Sequence, residues 1–324
     1  MTKAIALFSG GLDSILAAEL VRRQNIEVLC LTFTTPFFNA QKAKAAIRRL
    51  DHLSLEIMDI TEKHLQMLKA PRYGYGRNMN PCIDCHTLML QIAGRKMEET
   101  GSDFIITGEV LGQRPMSQNK QSLRLVAKNS GYADYILRPL SARLLEPIKA
   151  EREKLVDRSK LLAIQGRGRK TQIQLAAEFG IRDYAPPAGG CLLTDPLFTR
   201  RLMDLFSHQP AHTVRDIELL KHGRHFRISA TCKIIVGRNN ADNEAIKRLL
   251  TPDDLIFHMK NFPGPTVLAI GEDGDCETAA ASLCVRYSDA PPETEAEVVC
   301  RRGNSSKIIL AKAMAQEDCV RRLI

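Results

Sequence analysis

With 324 residues, 44% hydrophobic and 26% charged, the chain is too long for one comfortable core and too apolar to be largely disordered, so two domains are expected. A net charge of +9 favours a polyanionic partner. No apolar run reaches the roughly 18 residues of a membrane span, which leaves a soluble, cytoplasmic protein with no membrane partner as the expectation.

The first half alternates strand-like runs with helical patterns. Strands are expected at residues 4–8, 28–33, 54–60 and 104–107, with helices such as 14–24 and 41–50 between them. This alternation is that of a doubly wound parallel sheet, an α/β fold whose ligands bind beyond the carboxyl ends of the strands. From Glu151 to Glu178 the pattern turns helical and basic, broken by Gly166 and Gly168. A first domain is expected over residues 1–196, then a helical linker over 197–225. A small α+β domain follows over 226–324, with strands at 226–236, 255–259, 266–270 and 298–301 and helices at 243–250, 278–287 and 307–315.

Chemistry gathers in three places. After the first strand comes Ser9-Gly10-Gly11-Leu12-Asp13-Ser14, at the start of a helix. Two glycines let the backbone approach phosphate oxygens, the serine hydroxyls can donate, and the helix N-terminus adds oriented N–H groups. The loop lacks the Lys of a Walker motif, so it suits a pyrophosphate better than γ-phosphoryl transfer. The second place is Asn80-Pro81-Cys82-Ile83-Asp84-Cys85-His86; the third is Cys191 in the loop of residues 186–195. A lone C-x₂-C is equally half a zinc site, a redox dithiol or a coincidence. In a chain without an export signal the nine cysteines are expected to stay reduced, and Cys30, Cys232, Cys276, Cys284, Cys300 and Cys319 read as core fillers.

The SGGxDS run at the end of the first strand resembles the PP-loop family, whose members cleave ATP between the α and β phosphates. NPCxxC with a distant cysteine is similar to the tRNA thiolation branch of that family. By that resemblance Ser9, Gly10, Gly11, Asp13 and Ser14 bind ATP, with Thr107 and Gly108 in a later pocket loop; catalytic Asp13 either holds Mg²⁺ or acts mainly as a first-turn residue favoured by the helix dipole. The resemblance further implies that Cys82, Cys85 and Cys191 are catalytic, as ligands of a [4Fe–4S] cluster or through persulfide and disulfide chemistry. The sulfur donor is then sulfide or a persulfide carrier, and the substrate a tRNA uridine. Arg77, Arg167, Arg169 and Lys170 are candidate contacts to tRNA phosphates.

Farther on, the VGRN turn at 236–239, the D-x-x-x-H-x-K run from Asp254 to Lys260 and the Pro263-Gly264 turn resemble the RNA-binding module NFACT-R. That resemblance makes Arg238, His258 and Lys260 candidate RNA contacts. Two other readings stay open: another PP-loop reaction forming an amide or amidine, and a non-enzymatic RNA-binding protein that senses nucleotide.

Overall fold

The computed structural model describes residues 1–185, 190–271, 274–291 and 293–324. Two compact units divide the chain, residues 1–194 and 195–324. Among the described residues no helix is long and apolar enough to cross a membrane.

The first unit runs β1 (Lys3–Leu7), α1 (Leu12–Arg22), β2 (Glu27–Thr34), α2 (Gln41–Ile47), β3 (Ser54–Asp59), α3 (Thr61–Lys69), α4 (Cys82–Thr100), β4 (Phe104–Thr107), α5 (Lys120–Ser130), β5 (Ile136–Leu137), α6 (Lys149–Arg152) and α7 (Lys170–Glu178). Its strands form a parallel sheet in the order β3-β2-β1-β4-β5, so the doubly wound α/β expectation holds. Because β1 is central and apolar from Ala4 to Leu7, both its faces can be covered. Ala4 and Ala6 pack into one core with α1, and Ile5 into another with Leu90 and Ala93 of α4. The strand order reverses between β1 and its neighbours β2 and β4, which opens the crevice of such sheets at the ends of these strands.

The second unit begins with α8 (Pro196–His208) and α9 (Val214–Leu219), continues through β6 (Arg224–Arg227), β7 (Lys233–Val236), α10 (Asn240–Arg248), β8 (Leu255–Met259), β9 (Val267–Ile270) and α11 (Gly274–Arg286), and ends with β10 (Ala296–Arg302), β11 (Ser305–Ala311) and α12 (Gln316–Arg322). The sheet order is β11-β10-β8-β9-β7-β6, with antiparallel neighbours, as an α+β domain requires. Helices α8 and α9, read from the sequence as a linker, belong to this unit. Leu219 of α9 packs with Ile235, Ile246 and Leu268 on one face of the sheet, and Asp204 of α8 binds Arg227 at 2.6 Å and Lys233 at 3.1 Å.

Three expectations need correction. Residues 226–236 are a hairpin, β6 and β7, turning through Ser229–Cys232, where the Ser229 hydroxyl accepts from the Cys232 N–H at 3.0 Å. Residues 307–315 are mostly strand β11: Ile308 and Ile309 pair with β10, and that ladder overrides the helix preference of the surrounding Lys, Ala and Leu. Cys232 and Cys276 are not free fillers but a disulfide, their Cα atoms 5.7 Å apart where the turn before β7 meets the start of α11.

Candidate active site

The phosphate-type loop lies where β1 ends. Gly10 has φ +71, and a Cβ there would stand 2.3 Å from the Lys42 carbonyl carbon in α2, so only glycine fits. The Ser14 hydroxyl donates to the Gly11 carbonyl at 2.9 Å and lies 3.2 Å from the Ser9 hydroxyl. Asp13 accepts from the Gln113 amide at 3.1 Å through Oδ2, while its Oδ1 is buried with no hydrogen-bond partner. A buried carboxylate oxygen left over in this way calls for a cation. From the next strand, Gly108 closes against the start of α1; a Cβ there would lie 2.6 Å from the Ser14 nitrogen. Gly10→Ala is expected to destabilise the first unit by about 2 kcal/mol or more, read as a lower urea midpoint.

These groups line a cavity of about 680 Å³, within the range of small-molecule sites. Ser9, Gly11, Asp13, Ser14, Thr107 and Gly108 are on its wall, and so are Cys82, Cys85 and Cys191. Cys82 and Cys85 get there because α4 begins at Cys82, one turn carrying both thiols to the same side. Cys191 comes from the loop before Leu192, whose N–H donates to the Phe37 carbonyl at 2.9 Å. Pro186, Pro187, Ala188 and Gly189 of that loop lie outside the described residues.

Two of the three thiols are desolvated. Burial raises the Cys191 pKa to about 11, and burial, then the nearby Cys191, Cys82 and Asp84 charges, hold Cys85 well above the ordinary thiol value. The Cys82 sulfur accepts from the Asn80 amide at 3.4 Å. Among the described residues no three His, Cys, Asp or Glu side chains are placed to hold one metal ion. The three thiols share one cavity wall.

A buried polar chain backs the cavity. Glu109 accepts from Arg138 Nε at 2.9 Å and from the Thr107 hydroxyl at 3.1 Å, and lies 2.9 Å from His86 Nδ1. Burial pushes the Glu109 pKa up, but the charge of Arg138 and the hydrogen bond and charge of His86 outweigh it and bring it down to about 2. His86, the nearest extra ligand to the C-x₂-C pair in sequence, is thus tied to Glu109. His64 of α3 sits fully buried, Nε2 3.5 Å from the Cys85 sulfur and its ring against Phe37 and Phe38.

Residues 1–155 match the family described as thiamine biosynthesis protein (ThiI), and residues 223–323 match the NFACT protein RNA binding domain. The chain carries a ThiI-family PP-loop domain joined to an NFACT-type domain. Relatives include a probable tRNA sulfurtransferase of Thermoanaerobacter sp. (strain X514), 29% identical over 148 residues, covering 43% of this chain and 36% of the relative. Another, from Methanocaldococcus jannaschii, is 30% identical over 149 residues with the same two shares. The chain thus spans about a third of the length of these curated relatives. Among solved structures, a 4-thiouridine synthetase–RNA complex with bound ATP is 22% identical at a TM-score of 0.38, covering 60% of this chain and 45% of that one, a likeness too loose to bear on function.

In the first unit the basic loop falls differently from its sequence reading. Arg167 and Arg169 line the cavity, as does Arg114, whereas Arg77 and Lys170 are exposed elsewhere. In the NFACT-type domain Arg238 pairs with Asp242 at 2.6 Å and Lys260 with Glu297 at 2.9 Å. His258 is on the half-exposed face of β8; burial lowers its pKa, helped by Arg301 and Lys247. The structure does not gather Arg238, His258 and Lys260 into one patch, since β9 separates β8 from the strand preceding Arg238. It adds Arg301, offset from His258 across the β8–β10 ladder, as a cation no motif singled out. Gln113, Gln118 and His64 carried no sequence signal of their own; each reaches the site through tertiary packing.

Proposed function

We propose that the chain is an ATP-dependent enzyme that thiolates a uridine of tRNA. The observation that carries this reading is the shared wall: a phosphate-type loop with an unpartnered buried Asp13 oxygen and three cysteine thiols line the same cavity. The ThiI-family match of residues 1–155 supports it. In this reading the loop amides and the Ser9 and Ser14 hydroxyls hold ATP phosphates, and Asp13 Oδ1 holds Mg²⁺. A uridine carbonyl oxygen attacks the α-phosphorus as pyrophosphate departs and the ring N3 proton is released. Hydrosulfide then adds to the ring carbon, the C–O bond breaks, AMP leaves with the oxygen, and the thiol proton passes to the ring nitrogen to give the thiocarbonyl.

Cys82, Cys85 and Cys191 would hold a [4Fe–4S] cluster through three thiolates, and the cluster would supply an iron able to bind hydrosulfide. A persulfide route is the second reading, favoured by the Asn80 amide that donates to the Cys82 sulfur. Iron and acid-labile sulfide in protein purified without oxygen separate the two. About four of each per chain supports the cluster; neither, with thiolation retained, establishes the persulfide route.

The NFACT-type domain would hold the tRNA. Because phosphate contacts release counterions, replacing His258 and Arg301 together by Ala is expected to weaken tRNA binding roughly tenfold at moderate salt and to flatten its salt dependence. Unchanged affinity would move the RNA grip off this sheet face.

A further inference from the structure

Helices α1 and α7 pack against each other with their carboxyl ends together. At their carboxyl ends the Arg23 guanidinium lies 4.0 Å over the Phe179 ring and donates to the Phe179 carbonyl at 3.3 Å. Arg23 is the C-cap of α1 and Phe179 that of α7. Ten residues back from each, about 15 Å along the helix axes, stand Asp13 and Arg169. Both line the cavity, so Arg169 is level with the phosphate-type loop.

Arg169 Nε is buried without a hydrogen-bond partner, and three residues on, Gln172 is fully buried with neither amide atom partnered. A desolvated guanidinium N–H left unmade costs folding free energy, which an anionic acceptor in the cavity recovers. The phosphate tail of a nucleotide seated on the Ser9–Ser14 loop would reach Arg169, which lines the same cavity. Arg114 and Arg167 on the same wall add positive charge, while Glu109, the other carboxylate besides Asp13, is paired with Arg138.

We propose that Arg169 binds the β- and γ-phosphates of ATP and so holds the pyrophosphate leaving group, rather than the tRNA backbone. This rests on the reading of the cavity as an ATP site. Arg169 is a substrate-binding residue that orients ATP for attack at the α-phosphorus and stabilises the charge that builds on pyrophosphate.

The test is equilibrium binding of ATP, AMP, inorganic pyrophosphate and tRNA to the full chain and to its Arg169→Ala and Arg169→Lys variants, with thermal melts as a check on folding. Arg169→Ala is expected to weaken ATP and pyrophosphate roughly ten- to a hundredfold while AMP and tRNA stay within about twofold. Arg169→Lys, which keeps the charge but loses the fork, is expected to fall between. Equal losses for ATP and AMP, or a loss confined to tRNA, overturn the proposal. Should Arg169→Ala melt early, the Arg169→Lys ratio of ATP to AMP decides by the same criterion. If the wild-type chain makes no thiouridine yet the Arg169 variants show the ATP-selective loss, the Arg169 assignment stands and the thiolation reading alone is overturned.

Discussion

Replacing Cys191 by Ala is expected to abolish thiouridine formation while leaving ATP affinity within about twofold. The two effects separate because Cys191 shares a wall with the phosphate-type loop yet makes none of that loop's hydrogen bonds, which run among Ser9, Gly11, Asp13, Ser14 and Gln113. Burial raises the Cys191 pKa to about 11, so at neutral pH its thiol is a poor nucleophile until a metal or an electrophilic sulfur takes the place of its proton. A metal-bound thiolate and a resolving thiol both disappear in the alanine variant. The measurement is the thiouridine content of tRNA after reaction, beside an ATP titration. Retained thiolation removes Cys191 from the chemistry, and a parallel loss of ATP binding makes its role structural.

Glu109→Gln is expected to cost the first unit roughly 3–5 kcal/mol at neutral pH, because Arg138 is left buried without a counter-charge. Glu109 and Arg138 are both over nine-tenths buried, and neither can turn to solvent instead. The pH dependence follows from the depressed carboxyl. With a folded pKa of about 2, the Glu109 contribution is fully present above the unfolded value near 4.3 and is lost as pH falls toward 2. Urea midpoints of wild type and Glu109→Gln should therefore differ most above about pH 5 and converge as the medium is acidified. A gap that stays constant down to pH 3 would mean that Glu109 acts by shape and not by charge.

The parts of this molecule that sequence reveals are those whose physics is local. The parallel sheet was legible because each apolar run from β1 to β4 is short and bounded by helical periodicity, and the phosphate-type loop because strand, paired glycines and helix are contiguous. The 307–315 segment misled for the same reason. Its Lys, Ala and Leu favour a helix, but Ile308 and Ile309 complete a ladder with β10 that only the folded sheet supplies. Cys232 and Cys276 are 44 residues apart in sequence, and no spacing rule joins them. The Glu109 chain draws on His86 and Arg138, distant in sequence on either side, and His64 faces Cys85 only because α3 packs on α4. Arg169 was visible as a positive charge in a glycine-broken loop. Its depth beside Asp13 depends on the packing of α1 and α7, which composition does not encode.

The most direct test of the thiolation account is to incubate oxygen-free protein with tRNA, ATP, Mg²⁺ and sulfide, then count AMP released and analyse the tRNA nucleosides by mass spectrometry. The account expects one AMP for each thiouridine formed and neither product without tRNA. AMP release with a sulfur-free product, or no tRNA-dependent AMP at all, would contradict it.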